Sequence, residues 1–349
     1  MNTVTTPLKP AVAAGDRGHG ALRRAWNATR HFRPVLIITV LLFIVLAVTQ
    51  SRFATWTNIQ NLLTAVSVLW IVSLGMTFVV LTAGADLSVG ALAALTGIFF
   101  AKIVGAGLPG WPALILTCLF GAAVGALING FCVGRLGMSF FVVTLASMIG
   151  LTGVVNLWSG TQSFVVESQV PAVLGVDKYA GLPAPIWIMI GSFLVVLYLQ
   201  QWTYFGRHVY AVGGSLKAAR LSGIRTPRTV IGVYAVAALC ATIGSIITIG
   251  RIGVAAPTVD VNLPLQAIAA VLLGGTSLSG GIGGVGGTAI GVLFIGILQN
   301  GLSIAGVQSF WQQVITGLIL LLAVMIDQVG VPTWLRLPSR RADTAAAEA

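Results

Sequence analysis

Long apolar segments alternate with short polar connectors along almost the whole chain. A transmembrane helix needs about 20 mostly apolar residues, and ten segments approach this length. They are centred on residues 34–49, 58–82, 89–104, 111–133, 140–157, 186–201, 229–249, 263–278, 285–302 and 311–328. The pattern predicts an all-α polytopic membrane protein with about ten transmembrane helices.

Composition supports this class. Hydrophobic residues make up 57% of the 349 and charged residues only 8%, whereas soluble domains carry roughly 25% charge. The net charge of +11 fits basic loops that orient a membrane protein, so we do not expect nucleic-acid binding. Cys118, Cys132 and Cys240 show no CxxC spacing and are interpreted as packing residues, so the chain is expected to bind no metal or cofactor of its own.

The cations predict the orientation. With the N-terminus inside, ten spans place fifteen Lys and Arg residues in cytoplasmic segments and only Arg52, Lys102, Lys178 and Arg251 outside, a strong positive-inside bias. We therefore predict a basic cytoplasmic N-terminal tail (residues 1–33), a transmembrane domain (34–328) and a cytoplasmic C-terminal tail (329–349). The longest external segment, residues 159–183, is long enough to contact a partner but too short to form a domain.

Residues 206–228 form the only long polar segment inside the apolar chain. It contains five cations and no acid, namely Arg207, Lys217, Arg220, Arg225 and Arg228. Such a segment is typical of a cytoplasmic loop, here residues 203–228, which we call the coupling loop.

The coupling loop also contains signals for a short helix. The Gly213-Gly214 pair predicts a break, Ser215 can cap a following helix over residues 216–222, and Gly223 suits the residue just after its end. A short capped helix in a basic loop predicts a docking surface. The alternative is that the cations only orient the protein.

Enzyme motifs are weak or missing. The sequence from Gly281 to Gly286 fits GxGxxG but lacks a βαβ setting and is interpreted as a glycine hinge, and no GxxxxGK[ST] is present. His19, His31 and His208 lie outside the predicted spans, so an intramembrane hydrolase is disfavoured. No catalytic residue is predicted.

Polar residues inside the predicted spans are mostly neutral, which favours a neutral, hydroxyl-rich solute over an ion. An ion-coupled secondary transporter is the alternative, disfavoured because intramembrane charges are nearly absent. The candidates for a substrate pathway are Trp70, Asn129, Asn156, Gln266 and Asn300. For each amide, an ordinary interhelical hydrogen bond is the competing interpretation.

Asp86, Ser88 and Gly90 occupy a predicted turn between spans. We expect Asp86 to cap the helix that starts at residue 87; a solvated turn residue is the alternative. Glycines at four-residue spacing predict close helix packing. They are Gly121/Gly125, Gly130/Gly134 and Gly283/Gly287/Gly291.

Three stretches resemble the ribose/xylose/arabinose family of ATP-binding-cassette (ABC) permeases. Residues 75–90 are similar to its "GxT…LTGGIDLSVG" segment, residues 206–224 to its "GRxxYAxGGNxxAAxLSGI" loop, and residues 267–281 to its "AIAAVVIGGTSLxGG" run. The candidate ATPase-coupling residues of the loop are Gly206, Arg207, Tyr210, Gly213, Gly214, Ala218, Ala219, Arg220, Ser222, Gly223 and Ile224; all but Arg220 match the family pattern. Two departures are Ser215 in place of Asn, and residues 260–266, which lack the family's "GxGYELD" acids.

The resemblance implies a permease subunit that works as a homodimer in the bacterial inner membrane. A cytoplasmic ABC ATPase, holding ATP and Mg, would dock on the coupling loop, and a periplasmic sugar-binding protein would deliver a neutral monosaccharide or polyol. Permeases for nucleosides, autoinducer-type signals or branched-chain amino acids share this general architecture and are alternatives.

Overall fold

The structure is a computed structural model that describes residues 33–329, with side chains to residue 325. Thirteen helices and four short strands follow one another in this part of the chain. The helices are α1 Arg33–Thr49, α2 Trp56–Leu81, α3 Val89–Gly105, α4 Gly110–Gly134, α5 Phe140–Ser159, α6 Gln169–Gly175, α7 Ala184–Trp202, α8 Tyr204–Gly214, α9 Leu216–Leu221, α10 Thr226–Ile252, α11 Asn262–Leu273, α12 Val285–Ile304 and α13 Ser309–Val329. The strands are β1 Phe164–Val165, β2 Lys178–Tyr179, β3 Leu182–Pro183 and β4 Val254–Ala255. The predicted tails fall almost entirely outside the described residues.

Each of the ten predicted apolar segments coincides with a helix, which confirms the helical membrane class. Within residues 33–329, six helices are long and apolar enough to cross a membrane, namely α2, α4, α5, α7, α10 and α12. The apolar helices α1, α3 and α11 are shorter, and so is Ser309–Met325, the part of α13 whose side chains are described. The ten crossings and the cytoplasmic side of the termini therefore remain predictions.

Helices α2 and α10 form the centre of the molecule. They are buried along most of their length and pack directly on each other, with Gly75 of α2 against Ala237 and Cys240 of α10. The periphery instead exposes large apolar side chains, such as Val48 on α1 and Leu157 on α5. An apolar exterior around a packed helical core is what a lipid environment requires.

The predicted glycine faces make close helix contacts. Gly121, Gly125, Gly130 and Gly134 of α4 all face α10, so a methyl group at any of them would press on that helix. Between Gly125 and Gly130, α4 widens into a π-helical turn. Gly291 of α12 likewise lies against Ala270 of α11, and Gly287 lies against Gly274, the residue that follows α11. The predicted ladder of three is wrong at Gly283, which precedes α12.

Helix α11 is shorter than the sequence predicts. It ends at Leu273 rather than residue 278, because Gly275 adopts φ +82°, a left-handed conformation that helices do not continue through. Residues 274–284, here called the glycine loop, connect α11 to α12. At 1.5 Å per residue, the 12 residues of α11 span about 18 Å, well short of a hydrocarbon core of about 30 Å.

The predicted external segment folds onto the helices. Its strand β1 pairs antiparallel with β4, which follows α10, and β2 and β3 form a hairpin. Its helix α6 lies on α10, where Gly175 and Gly250 bring the two backbones together. The segment therefore holds the end of α10 in place.

Candidate functional site

The three sequence motifs that resemble the permease family meet at one point. The N–H of Gly281 in the glycine loop donates to the carbonyl oxygen of Leu81 at the end of α2, at 2.9 Å. Gly213, near the end of α8, lies against both groups. This meeting point, which we call the junction, joins α2, the coupling loop and the α11–α12 connection.

The close backbone contacts at the junction require glycine at position 213. A methyl group there would overlap the Leu81 carbonyl oxygen and the Gly281 nitrogen, whereas Gly214 has no neighbouring atom within 4 Å. The break that this pair predicts is present, since α8 ends at Gly214 and α9 begins at Leu216. Gly213 serves close backbone packing rather than a turn.

A hydrogen-bonded latch holds α8 on the glycine loop. The Tyr210 hydroxyl donates to the carbonyl oxygen of Gly283 at 2.6 Å. Gln200, at the end of α7, donates to the Tyr210 oxygen and accepts from the N–H of Val285 at 2.9 Å. Burial raises the pKa of Tyr210 above its usual value of 10.0, so the hydroxyl remains a donor. We call Tyr210 and Gln200 the latch.

Tyr210 belongs to the sequence motif of residues 206–224, whereas Gln200 lies outside it and was not predicted. The available signal was a glutamine near the end of an apolar run, ten residues before Tyr210. Its side chain is only 8% exposed, and a buried amide requires partners. Which partners it finds depends on tertiary structure.

The short capped helix predicted in the coupling loop is present as α9. The Ser215 oxygen accepts from the N–H of Ala218 at 3.2 Å, while Ala219 is buried. The helix ends at Leu221, and Ser222 is its C-cap. Gly223 follows with φ +78°, the left-handed conformation expected just after a helix end.

One side of the coupling loop packs on the membrane helices, and the other side is exposed. The Arg220 Nε donates to the Thr226 hydroxyl at 3.2 Å, which ties α9 to the start of α10. Ile224 packs against the apolar core. Leu221 is 81% exposed, and Lys217 is exposed as well. This face combines apolar and basic groups with no acid in the loop.

The beginning of α8 is also ordered by local contacts. Gly206 lies against the backbone of Leu199 and Gln200, which leaves no room for a side chain. The Arg207 guanidinium stacks over the Tyr204 ring, 4.4 Å from its centre. The arginine is thus held close to the protein rather than extended.

Asp86 lies in a buried polar network and is only 1% exposed. Its Oδ1 accepts from the Ser88 N–H at 2.9 Å and from the Ser88 hydroxyl at 2.6 Å. The Asn129 amide, on the π-helical turn of α4, donates to both carboxylate oxygens at 3.2 and 3.3 Å. Ser147 of α5 in turn donates to the Asn129 carbonyl. One network therefore links two helices, α4 and α5, to the turn that precedes α3.

The geometry of this turn differs from the expectation in two ways. Helix α3 begins at Val89 with Ser88 as its N-cap residue, so Asp86 bonds one residue before the helix rather than capping it. The solvated alternative is also wrong, because the carboxylate is buried. Gly90, in the first turn of α3, lies against the carbonyl oxygen of Asp260.

The five predicted pathway residues lie apart. Asn129 belongs to the Asp86 network. Asn300 pairs with Asn58 through two amide hydrogen bonds of 2.9 and 3.1 Å. The Trp70 indole donates to the Met189 carbonyl at 3.1 Å, and Asn156 is exposed on α5. Gln266 alone among the five lines the cavity described next.

The cavity lies between α2, α3, α10, α11 and the non-helical residues 253–261. Its volume is about 310 Å³. The polar residues that line it are Ser245, Thr248, Arg251, Thr258, Asp260 and Gln266. We call it the central cavity. No cluster of three or more His, Cys, Asp or Glu residues suited to a metal occurs in residues 33–329.

These features define a class: a multi-pass helical membrane protein with a polar cavity and a folded basic loop. The family described as the branched-chain amino acid transport system permease component matches residues 58–324. The chain belongs to this permease family and is a multi-pass inner-membrane protein.

Individual relatives are similar over nearly their whole length. The ribose import permease protein of Escherichia coli K12 is 39% identical over 296 residues, 84% of this chain and 92% of the relative. The L-arabinose ABC transporter permease protein of Azospirillum brasilense is 32% identical over 324 residues, 93% and 94% of the two chains. The xylose transport system permease protein of Escherichia coli K12 is 32% identical over 355 residues, 83% and 89%. No solved structure matches the chain significantly.

Proposed function

We propose that this chain is the membrane-spanning permease subunit of an ABC importer and forms the path of a neutral monosaccharide, a pentose or hexose, or a close polyol. The junction is the observation that carries the proposal. The coupling loop, which is suited to docking, is joined through Gly213 and the latch to the glycine loop. The glycine loop follows α11, whose first turns line the central cavity. Movement of the loop would therefore reach the cavity directly.

The partners follow from the same arrangement. A separate ATPase holding ATP and Mg would dock on the exposed face of α9, where Leu221 supplies apolar area and Lys217 a charge for an acidic surface. A second copy of this chain would complete the path, and a periplasmic sugar-binding protein would deliver the solute. Both termini and the coupling loop would be cytoplasmic, with ten crossings in total.

The names of the relatives favour a sugar, and the neutral groups of the central cavity suit hydroxyls. A second candidate is a branched-chain amino acid, the solute class in the family description. One observation favours it: Arg251 and Asp260 both line the cavity, and together they could bind a carboxylate and an ammonium group.

The energy source can be tested in proteoliposomes that contain this chain, its ATPase and the binding protein. We expect monosaccharide uptake that requires ATP hydrolysis and persists when ionophores abolish ion gradients. Uptake by this chain alone, driven by a proton or sodium gradient, would contradict the ABC assignment and support a secondary transporter.

A further inference from the structure

Residues 253–261, which connect α10 to α11, contain no helix. Helix α11 covers only about 18 Å, so a crossing that includes it must be completed by this segment. Non-helical backbone at membrane depth is tolerated only where it is buried in protein or lines a water-filled space. The central cavity is such a space, since residues 254, 255, 256, 258 and 260 line it.

Contacts with the two ends of α3 show how far residues 253–261 extend along this helix. The start of the segment, β4, pairs with β1. The ring of Phe164 in β1 lies 5.0 Å from the ammonium of Lys102, which belongs to the last turn of α3. Its end, Asp260, lies against Gly90 in the first turn of α3. These two points are 12 residues apart along the helix, or about 18 Å. The segment therefore runs along most of α3.

Several polar groups in the cavity retain unused bonding capacity. Asp260 Oδ1 accepts from the N–H groups of Asn262 and Leu263, at 2.9 and 3.2 Å, which fixes the carboxylate at the start of α11 and leaves Oδ2 unpaired among the described residues. Thr258 and Gln266 line the cavity beside it. Ser245, by contrast, already donates to the Ala93 carbonyl at 2.6 Å.

The size and wall of the cavity suit a small hydroxyl-rich ligand. Small-molecule sites are clefts of roughly 300–1,000 Å³, largely apolar with a few convergent polar groups, and 310 Å³ lies at the low end of that range. Leu69, Ala93 and Ala94 supply the apolar wall. A sugar presents both C–H faces and hydroxyls, so it matches both parts of this lining.

We propose that the central cavity is a monosaccharide subsite of the translocation path, in which Thr258, Asp260 and Gln266 hydrogen-bond the sugar hydroxyls. The unpaired Asp260 oxygen accepts a hydroxyl proton, the Gln266 amide donates and accepts, and the Thr258 hydroxyl does either. The proposal rests on the proposed function and specifies where the solute is held.

The test compares Thr258→Val, Gln266→Met and Asp260→Asn in the complete reconstituted transporter. Asparagine retains an oxygen to cap α11. Each variant removes one or two sugar contacts, so we expect monosaccharide uptake to fall about three- to tenfold, the effect of one net hydrogen bond. ATP hydrolysis stimulated by the loaded binding protein should change less than about twofold. The matched control is Thr152→Val, because Thr152 on α5 bonds only within its own helix.

A second readout does not depend on transport. Thr258→Cys should react with a small polar thiol reagent, and saturating monosaccharide should slow the reaction about threefold or more, while Thr152→Cys shows no protection. Unchanged uptake in all three cavity variants, or no protection of the Thr258→Cys thiol in a transporter that carries monosaccharides, would overturn the subsite alone. A wild-type complex that moves no neutral monosaccharide would overturn the proposed function as well.

Discussion

The Asp86 carboxylate is bonded by neutral groups only, Ser88 and Asn129. Asp86→Leu leaves the Ser88 N–H and the Ser88 hydroxyl without their acceptor, while the Asn129 amide keeps only the Ser88 oxygen at 2.7 Å. Each unsatisfied buried group costs about 1–3 kcal/mol. We expect a clear loss of folded protein, whereas Asp86→Asn keeps one acceptor oxygen and should be milder. Thermal unfolding of the purified protein in detergent measures both.

Asp177 offers a control, because its side chain is exposed. Asp177→Leu should leave the unfolding temperature nearly unchanged. If Asp86→Leu were as stable as wild type, the network would not stabilise the fold. If Asp86→Asn folded normally but transported as poorly as Asp86→Leu, the charge itself would act in transport.

Gly213 and Gly214 form a natural matched pair. Gly213→Ala places a methyl group on the Leu81 carbonyl oxygen, while Gly214→Ala meets no atom within 4 Å. The first variant must push α8 away from the junction, since core backbones yield little. We expect it to lower ATP-dependent uptake at least tenfold, with Gly214→Ala close to wild type. Equal activity of the two variants would argue against a tight junction.

At the scale of elements, the latch is the direct link between the coupling loop and the cavity helices. Tyr210 of α8 hydrogen-bonds the glycine loop at Gly283, and Gln200 of α7 accepts from the N–H of Val285 at the start of α12. Gly287 of α12 then contacts Gly274, and Gly291 contacts Ala270 of α11. The first turns of α11 line the cavity. A shift of α8 would therefore be passed through packed backbone to the subsite.

Tyr210→Phe tests this link, because it removes one hydroxyl and preserves the ring. We expect uptake per ATP hydrolysed to fall about three- to tenfold, corresponding to one hydrogen bond of about 0.5–1.5 kcal/mol. Tyr204→Phe on the same helix is the control, since Tyr204 is 76% exposed. Both rates should be measured in the same proteoliposomes. An unchanged ratio in Tyr210→Phe would show that coupling does not pass through the latch.

At the scale of the whole molecule, local patterns predicted most of the helices. The lengths of the apolar runs predict all ten helical segments. Ser215 and Gly223 predict α9, because helix caps and left-handed turns depend on neighbouring residues. The end of α11 was misplaced because an apolar run continues to Leu278 through Gly275, whose φ is positive.

The site was harder to predict, because it is assembled from distant parts of the chain. Motif resemblance marked residues 81, 213 and 281 separately, but only folding brings them into contact. Gln200 and Thr258 carry no distinctive local signal. Polarity alone predicts Asn129 and Asn300 as pathway residues, and it does not show that both make side-chain hydrogen bonds to other helices or turns.

The central claim, that the path carries a neutral monosaccharide, is tested most directly by a panel of solutes. Proteoliposomes with the complete transporter are offered radiolabelled neutral pentoses and hexoses, sugar acids, sugar phosphates and leucine, with and without ATP. We predict ATP-dependent uptake of at least one neutral sugar and none of the charged sugars or leucine, because hydroxyls match the neutral lining groups Thr258 and Gln266 and a net charge in the membrane is costly. Preferential uptake of leucine or of a charged sugar would contradict the account.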